Sequence, residues 1–335
     1  MLEVLLPGLL DTVQDRGRPG ARDLGVPLSG ACDPWSLAVA DRLLDNPPEA
    51  AGLEITAAGP TLAVRRTCVV ALAGAELGAQ VPEERRRLPV GTAQLVHAGT
   101  HIAFDPSLAE DHGLRAYLAL AGGIDVPVVL GSRSTCLAGG FGGLDGRPLR
   151  GGDRLAPVRP DDLSAAGRRW PAGGPDPATP RAIRLLPGPA TLGAPVPAGL
   201  RTLLAGRWQV AAAADRMGLR LVGPPIPVDP AASGSLISAG VLPGAVQVLP
   251  DGSAVVLLAD GQTVGGYPVP AVVAGADLPW LGQLRPGDPV RFRPTSVAAA
   301  RRASRLQDEA MEAMAARAAH PGRDAAWDLL ADAAG

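Results

Sequence analysis

Apolar residues along this chain come in short runs, mostly four to eight long, cut by Gly, Pro, Asp or Asn. That rhythm predicts strands with frequent turns. Twelve runs fit: LEVLLP, GLEITA, TLAVRR, TCVVALAG, TAQLVHA, THIAFD, LRAYLALAG, AIRLLPG, GLRLVG, GAVQVLP, AVVLLA and VRFRP. The spacing changes in DPWSLAVADRLLDNP, where Leu37, Ala40, Leu43 and Leu44 fall on one helical face. There Asp33 is a candidate N-cap, Pro34 suits the first helical position, and Asn46–Pro47 forms a stop. A short turn is expected at DLPWLGQL, and the Ala/Arg/Asp/Glu-rich segment after Ser296 reads as one or two helices. The pattern is that of an all-β or β-rich α+β chain. Positions 158–179 have the composition of an exposed loop, either a disordered insert or a flap over a site.

Composition narrows the chemistry. At 335 residues and 47% hydrophobic, the chain can build a sizeable core and two domains. A net charge of -2 gives no electrostatic case for nucleic acid or an anionic membrane as the main partner. No run is long and apolar enough to span a bilayer, and the N-terminus lacks a basic leader region, so a cytoplasmic protein is expected. Three widely spaced cysteines, Cys32, Cys68 and Cys136, argue against a disulfide framework or a structural zinc. His97 and His101 are four apart, but the glycine and β-formers around them predict strand and turn rather than a metal-binding helix, and no metal is expected.

The chain contains no lysine, so all 31 basic residues are arginine. A Schiff-base lysine, a Walker-type phosphate loop and covalently attached biotin or lipoate are therefore excluded from this polypeptide. If ATP or biotin chemistry occurs, other chains must carry those parts.

Four polar stretches stand out. LLDTVQDRGRPGARDLGVPLSGACDPW is neither strand-like nor helix-like and gathers Asp11, Thr12, Gln14, Asp15, Arg16, Arg18, Arg22 and Asp23. VLGSRSTCLAGGFGGLDGRPLRGGDRL holds seven glycines between Gly139 and Gly152, without the strand–helix placement of a dinucleotide fingerprint. AADRMGLRLVG carries Arg216 before a strand. LADGQTVGGYPVP inserts a polar, flexible tip between two apolar runs, either an ordinary hairpin or the edge of a site. No nucleophile elbow or triad can be assembled from spacing, and the residues alone leave the reaction open.

Taken in series, these stretches resemble the C-subunit of bacterial 5-oxoprolinase, a family also described as allophanate hydrolase subunit 2 or biotin-dependent carboxyltransferase. The motifs that carry the resemblance are PGLLDTVQDRGRPG, LGVPLSGACDPWSLAVADRLLDNP, LEIT, YLALAGGIDVPVVLGSRST, GGFGGLDGRPLRGGDRL, DRMGLRLVGP, GVLPGAVQVLPDG, LLADGQTVGGYP, ADLPWLGQLRPGD and VRFRP. They run in order from Pro7 to Pro294. The resemblance implies a mainly β fold with some α: a β-rich module with one helix at 1–108, a cyclophilin-like β-barrel module at 109–295 carrying the 158–179 insert, and a helical tail at 296–335. It also implies a hetero-oligomer in which a B-type and an A-type subunit join this chain to open the lactam of 5-oxoproline to L-glutamate with ATP. The alternatives are a carboxyltransferase on urea-like substrates, served by biotin on another chain, and a non-catalytic antagonist of a B-subunit-like kinase inhibitor.

Residue types in the matched motifs suggest site roles. Gln262, Thr263 and Tyr267 offer hydrogen bonds at a pocket rim, and Gly265 and Gly266 permit close approach. Arg216 could fork a substrate carboxylate. Gln247 and Asp251 lie in a neighbouring motif, and Gln14, Asp15, Ser29, Asp33 and Arg133 are further candidates. The four residues before Asp215 are all Ala, where the family pattern often has Pro and Ser, so this chain departs from the family there. Lactam opening needs a polarised carbonyl, an activated water and a protonated leaving nitrogen. No histidine lies in the matched motifs, so groups from a partner protein are expected to contribute.

Overall fold

The computed structural model describes residues 1–110, 112–171, 181–189, 196–227 and 237–318. In chain order the first part contains β1 (Leu2–Leu6), β2 (Leu10–Gln14), α1 (Pro34–Leu43), β3 (Gly52–Thr56), β4 (Thr61–Val64), β5 (Cys68–Gly74), β6 (Ala79–Val81), β7 (Arg86–Arg87), β8 (Thr92–Val96), β9 (His101–Phe104), β10 (Arg115–Leu120) and β11 (Arg154–Leu155). These form a six-stranded sheet, β11-β1-β4-β9-β6-β7, and a five-stranded sheet, β2-β3-β10-β5-β8. The sheets pack face to face around a core that includes Leu2, Val4, Leu62 and Ile102 from one and Leu53, Ile55, Val70 and Leu118 from the other.

The five-stranded sheet is buried on both faces, which explains its unbroken apolar runs. In β5, Cys68, Val70 and Leu72 enter the inter-sheet core. Val69, Ala71 and Ala73 point the other way, onto α1. β10 alternates likewise, with Tyr117 and Ala119 on the helix side. The alanines let α1 lie close to the sheet. α1 is capped as its sequence predicts: the Asp33 carboxylate accepts from Ser36 N at 3.0 Å, and Pro34 begins the helix.

The second part contains β12 (Ala182–Pro187), α2 (Val196–Ala205), β13 (Trp208–Val210), β14 (Gly218–Val222), β15 (Ala239–Gly240), β16 (Ala245–Val248), β17 (Ala254–Leu257), β18 (Val264–Gly265), β19 (Ala271–Val273), α3 (Leu278–Leu281), β20 (Pro289–Pro294) and α4 (Val297–Ala318). Seven strands close a barrel in the order β12-β19-β16-β17-β14-β13-β20, while β15 and β18 form a separate two-stranded ribbon. Leu185, Leu219, Leu221, Val246, Val256 and Phe292 belong to the barrel core. α4 returns to the first module, where Met311 and Ala318 pack in the α1 layer. No helix among the described residues is long and apolar enough to cross a membrane.

Three expectations need correction. The boundary placed at 108/109 moves to the stretch between β11 and β12, because β10 pairs with β3 and β5 inside the first module. LDTVQ is a strand, β2, paired with β3 over its whole length. Its polar side chains Asp11, Thr12 and Gln14 are buried, and that hid the alternation. Positions 158–171 are largely exposed, as expected of that loop, but they are tied to the sheet edge rather than lying free as an insert or flap: Ala93 N donates to Arg168 O at 2.9 Å, and Trp170 N to Gly91 O at 2.7 Å. Positions 172–179 and the tail beyond 318 lie outside the described residues.

Candidate functional site

Barrel strands bury every second side chain and turn the others outward. Because Leu219, Val246 and Val256 point in, Arg220, Gln247 and Val255 point out on the β14–β17–β16 face. An open cleft of about 200 Å³ lies on that face, lined by Asp215, Met217, Arg220, Gln247, Gln262 and Tyr267 over an apolar floor that includes Leu257. The tip that begins after Asp260 forms one wall. It is held by β18 pairing with β15, and by Arg22, whose guanidinium donates to the carbonyls of Val241 and Gln262.

Two glutamines define the polar part of the cleft. Gln262 Nε2 donates to Gln247 Oε1 at 2.7 Å. Gln247 is 2% exposed, and its own Nε2 has no partner among the described residues. Gly265 lies directly over that amide; a Cβ there would fall on Gln247 Nε2, so the tip needs glycine for close approach rather than for an unusual backbone angle. Tyr267 is exposed at the rim. Asp215 spends its Oδ1 on the backbone N–H groups of Met217 and Gly218, at 2.8 and 3.1 Å, and so shapes the turn that leads into β14. The alanines before it include Ala213, which lines the cleft.

Behind the tip, a buried ionic network joins the barrel to the first module. Arg216, 3% exposed, forks Asp260 with Nε–Oδ2 at 2.8 Å and Nη2–Oδ1 at 3.1 Å. It also donates through Nη1 to Glu54 of β3 and through Nη2 to Gly30 O at 2.8 Å. Glu54 accepts further from Tyr117 Oη at 2.7 Å and Cys32 N at 2.8 Å, and Arg115 lies 3.5 Å away. Burial works to raise the Glu54 pKa, but the Arg216 and Arg115 charges and these hydrogen bonds outweigh it and hold the carboxyl below its usual range. Gln283 completes the junction, donating to Asp33 Oδ2 at 2.7 Å and accepting from the backbone of Leu114 and Arg115.

The sequence candidates therefore divide. Gln247, Gln262 and Tyr267 meet in the cleft, with Gly265 against them and Gly266 next in the tip. Arg216 does not reach it as a free cation: its guanidinium is saturated by Asp260, Glu54 and Gly30, so the carboxylate-binding role expected for it is withdrawn. Asp251 is exposed in a hairpin turn, bonded to Ser253 N and Oγ at 2.9 and 2.7 Å. Thr263 is buried, and its carbonyl accepts from Val241 N. Asp15 is buried in a cluster in which Ser132 Oγ and the backbone N–H groups of Gly17 and Arg133 donate to it. Gln14 bonds Thr12, Asp33 caps α1, and Ser29 N ties its loop to Ala259 O. None of Gln14, Asp15, Ser29, Asp33 and Arg133 lines the cleft. His97 lies in the turn between β8 and β9, and His101 begins β9 against Glu83, not on a helix with a shared ligand.

Arg220 was missed from sequence, because a charged residue alternating with Leu219 and Leu221 reads as a solvent-facing strand position. Glu54 and Asp260 were missed as partners of Arg216. A carboxylate inside the apolar run GLEIT was the available signal.

The carboxyltransferase domain model, subdomains A and B, matches residues 24–294. The chain is 37% identical over 320 residues to the 5-oxoprolinase C-subunit of Escherichia coli, covering 95% of this chain and 98% of that one. A crystal structure of TTHA0988 superposes with a TM-score of 0.74 at 39% identity, over 87% of this chain and 55% of that one. The K. lactis urea amidolyase structure gives a TM-score of 0.84 at 31% identity, over 93% of this chain; the chain spans only 20% of that protein. By this match along most of its length, the chain belongs to the carboxyltransferase domain family, subdomains A and B.

Proposed function

We propose that this chain is the C-type subunit of a multi-component, ATP-dependent 5-oxoprolinase that opens the lactam of 5-oxoproline to L-glutamate. One observation carries the reading: the chain and the E. coli 5-oxoprolinase C-subunit correspond nearly end to end, 95% of one against 98% of the other. Within the proposal, the cleft holds the substrate, and Gln262 and Tyr267 offer the hydrogen bonds that orient a lactam. The fold keeps the glutamine pair and the tip in register through the Arg216 network. A chain without lysine has no Walker lysine for ATP, so the ATP step belongs to partner subunits of A and B type. No histidine lines the cleft among the described residues, and Asp215 is the carboxylate that does, itself engaged by backbone N–H groups. Groups from a partner are needed to activate water and to protonate the leaving nitrogen.

A second reading, an enzyme part acting on urea-like substrates, is favoured by the 0.84 superposition on urea amidolyase. The deciding assay is glutamate release from 5-oxoproline with ATP. The chain is assayed alone, then with candidate A- and B-type subunits, and the full mixture is repeated with this chain omitted. Activity confined to the full mixture supports the first reading. A stable complex that leaves 5-oxoproline untouched and consumes urea instead supports the second. A stable complex that turns over neither points to a regulatory partner.

A further inference from the structure

The cleft holds a cation that no expectation assigned. Arg220 is exposed on β14, makes no ion pair among the described residues, and lines the same cleft as Gln262 and Tyr267. Its positive field reaches Asp251, whose own carboxylate is occupied by Ser253. Asp215, the other nearby acid, is committed to Met217 N and Gly218 N. Neither neutralises the guanidinium by contact. The glutamine pair adds direction. Gln262 lines the cleft; with its Nε2 given to Gln247 Oε1, its Oε1 is left as the acceptor of that amide, and the exposed Tyr267 stands at the rim. An acceptor, a hydroxyl donor and an unpaired guanidinium complement a small molecule that carries an amide N–H, an amide C=O and a carboxylate.

We infer that Arg220 is the residue by which this cleft selects a carboxylate-bearing amide, with Gln262, held by Gln247, reading the amide N–H. The inference rests on the substrate reading above and adds a discriminator to it. A urea-like ligand has the amide edge and lacks the carboxylate, so it leaves Arg220 unsatisfied. A polar group of the site that a bound ligand covers and leaves unpaired is what makes such sites selective. The planar guanidinium fork suits a carboxylate better than any other side chain could.

The test measures binding to the complete chain, alone and assembled with its A- and B-type partners, by calorimetry. The ligands are 5-oxoproline, pyrrolidin-2-one and urea. Pyrrolidin-2-one is the same lactam without its carboxylate. Arg220→Met removes the charge from an exposed strand position, and thermal unfolding checks that the fold is kept. The expected result is that Arg220→Met weakens 5-oxoproline by about 10- to 100-fold and leaves pyrrolidin-2-one unchanged, as loss of one charged hydrogen-bonded contact implies. Gln262→Met is expected to weaken both lactams together. If Arg220→Met leaves 5-oxoproline binding intact, or weakens both lactams alike, the inference falls while the substrate reading survives. If the wild-type assembly binds urea and not 5-oxoproline, both fall.

Discussion

Replacing Arg216 by Met should be among the most damaging single changes in this chain. Among the described residues the guanidinium makes both hydrogen bonds that the Asp260 carboxylate accepts, at 2.8 and 3.1 Å, and one of those to Glu54. These groups are 3%, 5% and 1% exposed, so water cannot replace what is lost. Glu54 keeps Tyr117, Cys32 N and Arg115 as partners, but the Asp260 carboxylate keeps no hydrogen-bonded partner among the described residues. Removing one member of such a buried pair costs roughly 3–5 kcal/mol, chiefly because the other charge stays behind. Chemical denaturation followed by circular dichroism reads this as a lower midpoint at unchanged slope. The loss should depend on pH. In the wild type, Glu54 is held below 4.5, so its contribution is present above that value and is lost as pH falls through the folded-state pKa. Adding Asp260→Asn should restore roughly 2–3 kcal/mol, since neighbours in one network are not additive. A single-variant loss below about 1 kcal/mol, or a double variant equal to the sum of its parts, would refute the idea that Arg216 is a structural clamp.

Asp41, 4% exposed on α1, is pushed up to about 7 by burial. Between its unfolded value and 7 the folded state holds the extra proton, so its ionisation weakens the fold as pH rises. Asp41→Asn should therefore stabilise the protein at pH 8 by up to about 4 kcal/mol and change little at pH 4, read by denaturation midpoints at the two pH values. Gly282→Ala places a Cβ against Cys32 O and Asp33 N across the module junction, and both are backbone atoms that cannot step aside. It should cost about 1–3 kcal/mol in thermal unfolding, and an unchanged midpoint would mean the junction is looser than its contacts suggest. Gly265→Ala meets only the flexible end of Gln247. Its expected effect is a ligand affinity about tenfold weaker with stability moved by less than about 0.5 kcal/mol, so a large stability loss would place the tip in the core rather than at a site.

What the sequence made legible follows from which physical signals are local. The twelve apolar runs all became strands, because a run bounded by turn residues carries its own evidence. The cap at Asp33 and the first-turn proline were equally local. β2 was not legible, because Asp11, Thr12 and Gln14 look like loop residues until β3 and Thr135, far along the chain, give them partners. The domain boundary failed for the same reason: β10 looks like the start of something new, yet it completes a sheet begun at residue 10.

The site shows the limit most clearly at two arginines four positions apart. Residue type alone favours Arg216 as the ligand-binding cation, since it stands in a polar motif beside Asp215. The fold reverses the assignment. Arg216 faces Glu54, 162 positions away, and Asp260, 44 positions away, and becomes an internal counter-ion. Arg220, inside an alternating strand, looks like ordinary solvent-facing charge, yet β14 turns it into the cleft beside Gln247 and Gln262. What separates them is the location of their nearest anions. For Arg216 those anions belong to the chain, and for Arg220 the place is left open to a ligand. A polar tip between apolar strands can mark a site from sequence, but whether a charge there is spent inside the fold or available at its surface is decided only by long-range pairing.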